Sequence, residues 1–113
     1  MDCTDKKEPK VVGLTPEAAL RLNDATVGRG FTSKSGLVAF LARKMMQPGR
    51  PLHERVEFKA SMLAQRTSRA TLMLTARERA DLNKAIVACD VADASEFIEG
   101  ALRLLEQAGL EGL

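Results

Sequence analysis

Polar and apolar residues alternate through Arg69-Ala70-Thr71-Leu72-Met73-Leu74. This period-two pattern predicts a half-buried strand with Ala70, Leu72 and Leu74 toward a core and Arg69, Thr71 and Met73 on the opposite side. Thr75 and Glu78 follow at capping-box spacing, so a helix is expected where the strand stops. A similar order occurs earlier. Lys10 to Leu14 reads as a short strand, Thr15 as a helix cap with Pro16 at the first helical position, and Pro16 to Val27 as a helix with Ala18, Leu22 and Ala25 on one face. Gly28-Arg29-Gly30 ends that helix. Thr32 to Ser35 offers caps for a second helix whose stripe is Leu37, Val38, Leu41, Ala42 and Met45, and Gln47 to Pro51 stops it.

Leu52, Val56, Ala60 and Leu63 are spaced as in a connecting helix over 52–65. Beyond the later strand, one helix carries Leu82, Ala85, Ile86 and Cys89 inward. Asp93 and Glu96 make another capping box for a helix bearing Phe97, Ile98, Ala101, Leu102 and Leu105, with Gly109 as its stop.

The two stretches align at an offset of sixty positions. Leu14/Leu74, Thr15/Thr75, Leu22/Leu82, Asn23/Asn83, Ala25/Ala85, Val27/Val87, Ser35/Ser95 and Arg43/Arg103 are identical without a gap. Average residue usage would give about two identities over such a span, so a duplicated unit is indicated. One strand and two helices cannot cover their own apolar faces, so the copies are expected to pack together.

Composition narrows the classes. A chain of 113 residues suits one core, and its apolar runs fall far short of the ~20 residues that span a bilayer. With no apolar signal core near Met1, a cytoplasmic location is expected, with no membrane partner. Cys3 and Cys89 read as two reduced thiols, and His53 has no second ligand at metal spacing, so no metal and no cofactor is expected. No nucleophile-base pair, carboxylate pair or phosphate loop occurs at usable spacing; the isolated Ser, Asp and Glu residues are assigned to caps and exposed helix faces, and no enzyme or small-molecule substrate is expected. Charge is uneven: residues 1–68 hold twelve Lys/Arg against seven Asp/Glu, residues 69–113 five against eight. That asymmetry suits a local patch for a polyanion.

Strand, Thr-capped helix, turn and Ser-capped helix, twice in one chain, resemble the ribbon-helix-helix fold of the Arc, MetJ and CopG repressors. The tandem form is similar to the TraY relaxosome protein and the overdrive-binding virulence protein of T-DNA transfer. Gly30-Phe31-Thr32-Ser33-Lys34-Ser35 is similar to the family's turn of glycine followed by Ser-basic-Ser, whereas Asp90 to Ser95 lacks the glycine and the basic residue. The resemblance implies a mainly α fold with a two-stranded antiparallel ribbon, a tandem ribbon-helix-helix pseudo-dimer in one chain. Residues 1–8 would be a flexible leader and 9–107 a single domain of two repeats, 9–46 and 69–107, joined by a linker at 47–68 and followed by a tail at 108–113.

It further implies double-stranded DNA as partner, with the ribbon in the major groove. Base contacts would come from Arg69, Thr71, Met73 and Val11. Phosphate contacts would come from Lys6, Lys7, Lys10 and, at a helix start, Ser33, Lys34 and Ser35. The outward positions of the first strand, Pro9, Val11 and Gly13, offer no side-chain hydrogen bond, so recognition is expected to be lopsided. The implied function is sequence-specific DNA binding as a conjugation or DNA-transfer (relaxosome) accessory, with a relaxase or other transfer proteins as further partners, or as a transcriptional regulator. The alternative is a protein-interaction module such as an antitoxin or assembly adaptor, suited by the acidic second half and the apolar first strand.

Overall fold

The computed structural model describes residues 6–46, 51–55 and 67–109. Its elements are β1 (Glu8–Leu14), α1 (Pro16–Gly28), α2 (Lys34–Met45), α3 (Leu52–Arg55), β2 (Ser68–Leu74), α4 (Ala76–Ala88) and α5 (Ala94–Ala108). The protein is mainly helical with one two-stranded antiparallel sheet. Of the expected helix over 52–65, α3 is the described part. The rest of it, most of the leader and linker, and the end of the tail lie outside the described residues.

β1 pairs with β2 from Glu8↔Leu74 through Val11↔Thr71 to Leu14↔Ser68. Sequence alternation alone began β1 at Lys10; pairing extends it back to Glu8, opposite the end of β2. Burial follows the pleat. Val12, Leu14, Ala70, Leu72 and Leu74 are buried, while Val11, Arg69, Thr71 and Met73 are exposed on the other face.

The helices close over the buried face crosswise. α2 packs chiefly on α4 and touches β2, while α5 packs on α1 and touches β1. Leu22, Leu37, Leu41, Leu82, Phe97, Ile98, Leu102 and Leu105 are all within 2% of complete burial and form one core with the ribbon residues. α3 joins this core through Leu52, fully buried, whose amide donates to the Cys89 carbonyl at 2.7 Å.

Helix ends follow local chemistry. Thr15, Ser33, Thr75 and Asp93 each accept from the amide three residues on, and the Thr75 amide donates in turn to the Glu78 carboxylate at 2.9 Å, completing a capping box. At the other end of α1, Gly30 donates to the Val27 carbonyl and Phe31 to that of Thr26. At the end of α4, Asp90 donates to Val87 and Val91 to Ile86. Both are Schellman closures, which put one residue in the left-handed region. That residue is Gly30 (φ 76°) after α1 and Asp90 (φ 54°) after α4.

Ion pairs lace α1 to α5. Arg21 bonds Glu17 at 2.7 Å and also bonds Glu106, and Arg103 approaches Glu17 at 3.5 Å. The hydrogen bond from Arg21, reinforced by its charge, holds the Glu17 carboxyl below the ordinary glutamate range, and the same bond raises Arg21. A lowered carboxylate adds stability above its unfolded pKa and loses it as pH falls through the folded one. At this exposed site the contribution is small and screened by salt.

Left-handed backbone costs an L-residue roughly 1–2 kcal/mol that glycine does not bear. Asp90→Gly should therefore raise unfolding free energy by about 1 kcal/mol in urea titrations. Gly30→Ala should lower it by a similar amount, although an added Cβ there meets nothing within 4 Å. Unchanged midpoints for both would contradict the closures described.

Candidate nucleic-acid interface

Three cross-strand pairs line the ribbon face turned away from the helices: Pro9↔Met73, Val11↔Thr71 and Gly13↔Arg69. Among these six, Arg69 alone is charged and Thr71 alone carries a hydroxyl. Val11 is 61% exposed and Met73 41%, so the face presents two apolar side chains to solvent. The face is therefore an exposed ridge able to offer one guanidinium, one hydroxyl and three apolar groups. Pro9 fits here because the Met73 amide opposite it points away from β1, so proline's missing N–H removes no ladder bond.

Two serines fasten helix starts to the ribbon's outer edges. Ser35, in the first turn of α2, accepts from the Met73 amide at 2.8 Å. Ser95, in the first turn of α5, donates its hydroxyl to the Gly13 carbonyl. These contacts seat the start of α2 beside the Pro9/Met73 end of the ribbon and the start of α5 beside the Gly13/Arg69 end.

The starts differ in charge. Ser33 caps α2 by accepting from Gly36 at 3.0 Å, with Lys34 exposed next to it. Asp93 caps α5 by accepting from Glu96 at 3.0 Å. The first amides of α2 lack intrahelical carbonyls, as in any helix, and carry the positive end of its dipole. Lys6 and Lys7, both exposed, run into β1 at the same end, and Lys10 is half-buried one pair inward, opposite Leu72. The structure thus gathers Lys6, Lys7, Lys10, Ser33, Lys34 and Ser35 around one end of the ribbon and sets Arg69 at the other. Within the ribbon face it brings Arg69, Thr71, Met73 and Val11 together.

Two residues have roles that sequence reasoning missed. Ser35 is also a structural tie, its oxygen held by Met73, with its proton left for a further acceptor. Glu99 corrects the assignment of every acidic residue to caps and exposed faces. It is 2% exposed, on the inner side of α5, where Oε1 accepts from the Thr15 hydroxyl at 3.3 Å and Oε2 has no hydrogen-bond partner among the described residues. Thr15 in turn accepts from the Ala18 amide at 3.1 Å, so the carboxylate backs the cap at the positive end of α1. Its place in the aligned unit is held by Ala39, which carried no hint of a buried acid.

Among the described residues no group of three or more His, Cys, Asp or Glu side chains is placed to hold a metal ion, and no helix is long and apolar enough to cross a membrane. Compared with protein-family models, curated proteins and solved structures, the chain matches none.

Removing either serine tie should weaken the fold without any ligand present. Ser35→Ala and Ser95→Ala should each cost about 1 kcal/mol in denaturant titrations of the free protein. Wild-type stability in both would mean that these hydroxyls do not hold the ribbon.

Proposed function

We propose that the chain binds double-stranded DNA by laying the β1–β2 ribbon in the major groove, as a tandem ribbon-helix-helix pseudo-dimer within one polypeptide. One observation carries the reading. Val11 pairs with Thr71, sixty positions on, so the sequence offset and the strand register share a centre. Equivalent residues then fall symmetrically about that pair, and the crosswise helix packing and the Ser35 and Ser95 ties fall in matching places. A two-stranded ribbon has the width the major groove admits.

In this reading Arg69 donates a bidentate pair to guanine O6 and N7, and Thr71 reaches a neighbouring base edge. Ser33, Lys34 and Ser35 grip a phosphate at the start of α2, with Lys6, Lys7 and Lys10 adding charge that positions without reading sequence. The biological setting is a DNA-transfer accessory, with a relaxase or other transfer proteins alongside, or a transcriptional regulator in the cytoplasm. The exposed Val11 and Met73 favour a second reading, a protein-interaction module that keeps the same fold.

Binding to a random-sequence duplex pool, followed by selection and titration with the enriched duplex, separates the readings. Arg69→Ala should lower discrimination between enriched and scrambled duplexes by about 1–3 kcal/mol. Lys34→Ala should weaken both alike and reduce the slope of log K against log salt by about one. Wild type that retains no duplex even at low salt overturns the DNA reading in favour of the interaction module.

A further inference from the structure

Resting on that reading, we infer that the two ends of the ribbon recognise different chemistry: guanine at the Gly13/Arg69 end and thymine methyls at the Pro9/Met73 end. The target is then an unsymmetrical duplex bound in a single orientation.

The cross-strand register carries this. Arg69 and Met73 belong to one strand but lie four residues apart, roughly 14 Å at strand rise, which is about four base-pair steps. They therefore face opposite arms of any site centred on Val11↔Thr71. At one end Arg69 stands across from Gly13, which contributes no side chain, so the guanidinium has that end to itself. Its paired donors match guanine O6 and N7, the two acceptors that one base presents to the major groove. At the other end Pro9 and Met73 hold no side-chain donor. Set against an amino group or a carbonyl they would leave it desolvated and unpaired. The one apolar group in the major groove is the thymine methyl, and a flexible thioether adapts to it. Val11, at the centre, extends this apolar surface.

Charge around the ribbon runs the opposite way. Lys6, Lys7, Lys10 and Lys34 lie toward the apolar end, where Glu8 is paired with Arg79, while Asp93 and Glu96 stand at the start of α5, beside the arginine end. The thymine arm is held by its backbone and the guanine arm by its base. Each end lacks what the other has, so reversing the protein on its site would lose both contacts.

The test uses the full chain and duplexes enriched from a random pool, then modified one base at a time. N7-methylation of guanine should block binding in one arm only, and thymine-to-uracil replacement should weaken it in the other. Arg69→Ala should lose the first effect, with about fivefold or more lost affinity, and keep the second. Met73→Ala should do the reverse. Pro9→Arg, which places an arginine sixty positions before Arg69, should enrich duplexes with guanine in both arms. Palindromic enrichment by wild type, or methylation interference in both arms, overturns this inference while leaving DNA binding intact. Retention of no duplex at low salt overturns both.

Discussion

The pairing of β1 with β2 is the constraint on which the rest of the structure depends. The strands are separated by more than fifty residues, and a lone two-stranded ribbon is marginal in water, so the pair persists because its inner face is covered. Val12, Leu14, Ala70, Leu72 and Leu74 supply that face, and α2 and α5 close over it, each fastened to a strand edge by a serine. Because the pleat alternates, fixing those residues inward fixes Arg69, Thr71, Met73 and Val11 outward. A register slip of one residue would reverse every one of them. Core packing and the composition of the exposed ridge are thus two faces of one interaction.

Most of the element order was legible because local rules set it. Alternation marked β2, threonine, serine and aspartate marked four helix starts, and the glycine after α1 and Gly109 marked helix ends. Local alternation did not show the longer β1: the sixty-position offset set Pro9 against Arg69, but Glu8 becomes strand only by lying opposite Leu74. Nor was Asp90, which takes the left-handed turn without the residue that signals it. The ridge residues could be named from alternation, but their arrangement by ends needed the register. Glu99 was hidden because a carboxylate at a core position contradicts the pattern used to find the core. The identical Ser35 and Ser95 were a usable signal: polar residues kept at matching places in a duplicated unit invite the question of what they hold. Val27 and Val87 warn against reading every identity as packing, being 74% and 79% exposed.

The proposed duplication within one chain has a physical consequence that a pair of identical chains lacks. Identical halves present the same side chains to both arms of a site, whereas covalently joined halves can diverge position by position while the shared core stays intact. Here the divergence falls on the ridge and on the helix starts: Pro9 against Arg69, Val11 against Thr71, Gly13 against Met73, and Ser33 against Asp93. Buried positions also change, but mostly within apolar types: Leu14/Leu74 and Leu22/Leu82 are kept, and Val12/Leu72, Leu37/Phe97, Val38/Ile98 and Met45/Leu105 exchange one apolar side chain for another, with Ala39/Glu99 the exception. A change of chemical class on the exposed face, over a core that stays largely apolar, fits a surface whose two ends do different work.

The most direct measurement is an NMR titration of the labelled protein with duplex DNA at low salt. Resonances of Val11, Arg69, Thr71 and Met73 are expected to move together and saturably, while the methyls of Leu20 and Val27 on the outer side of α1 stay in place. Movement confined to α1, with the ribbon unaffected, would contradict DNA binding by the ribbon.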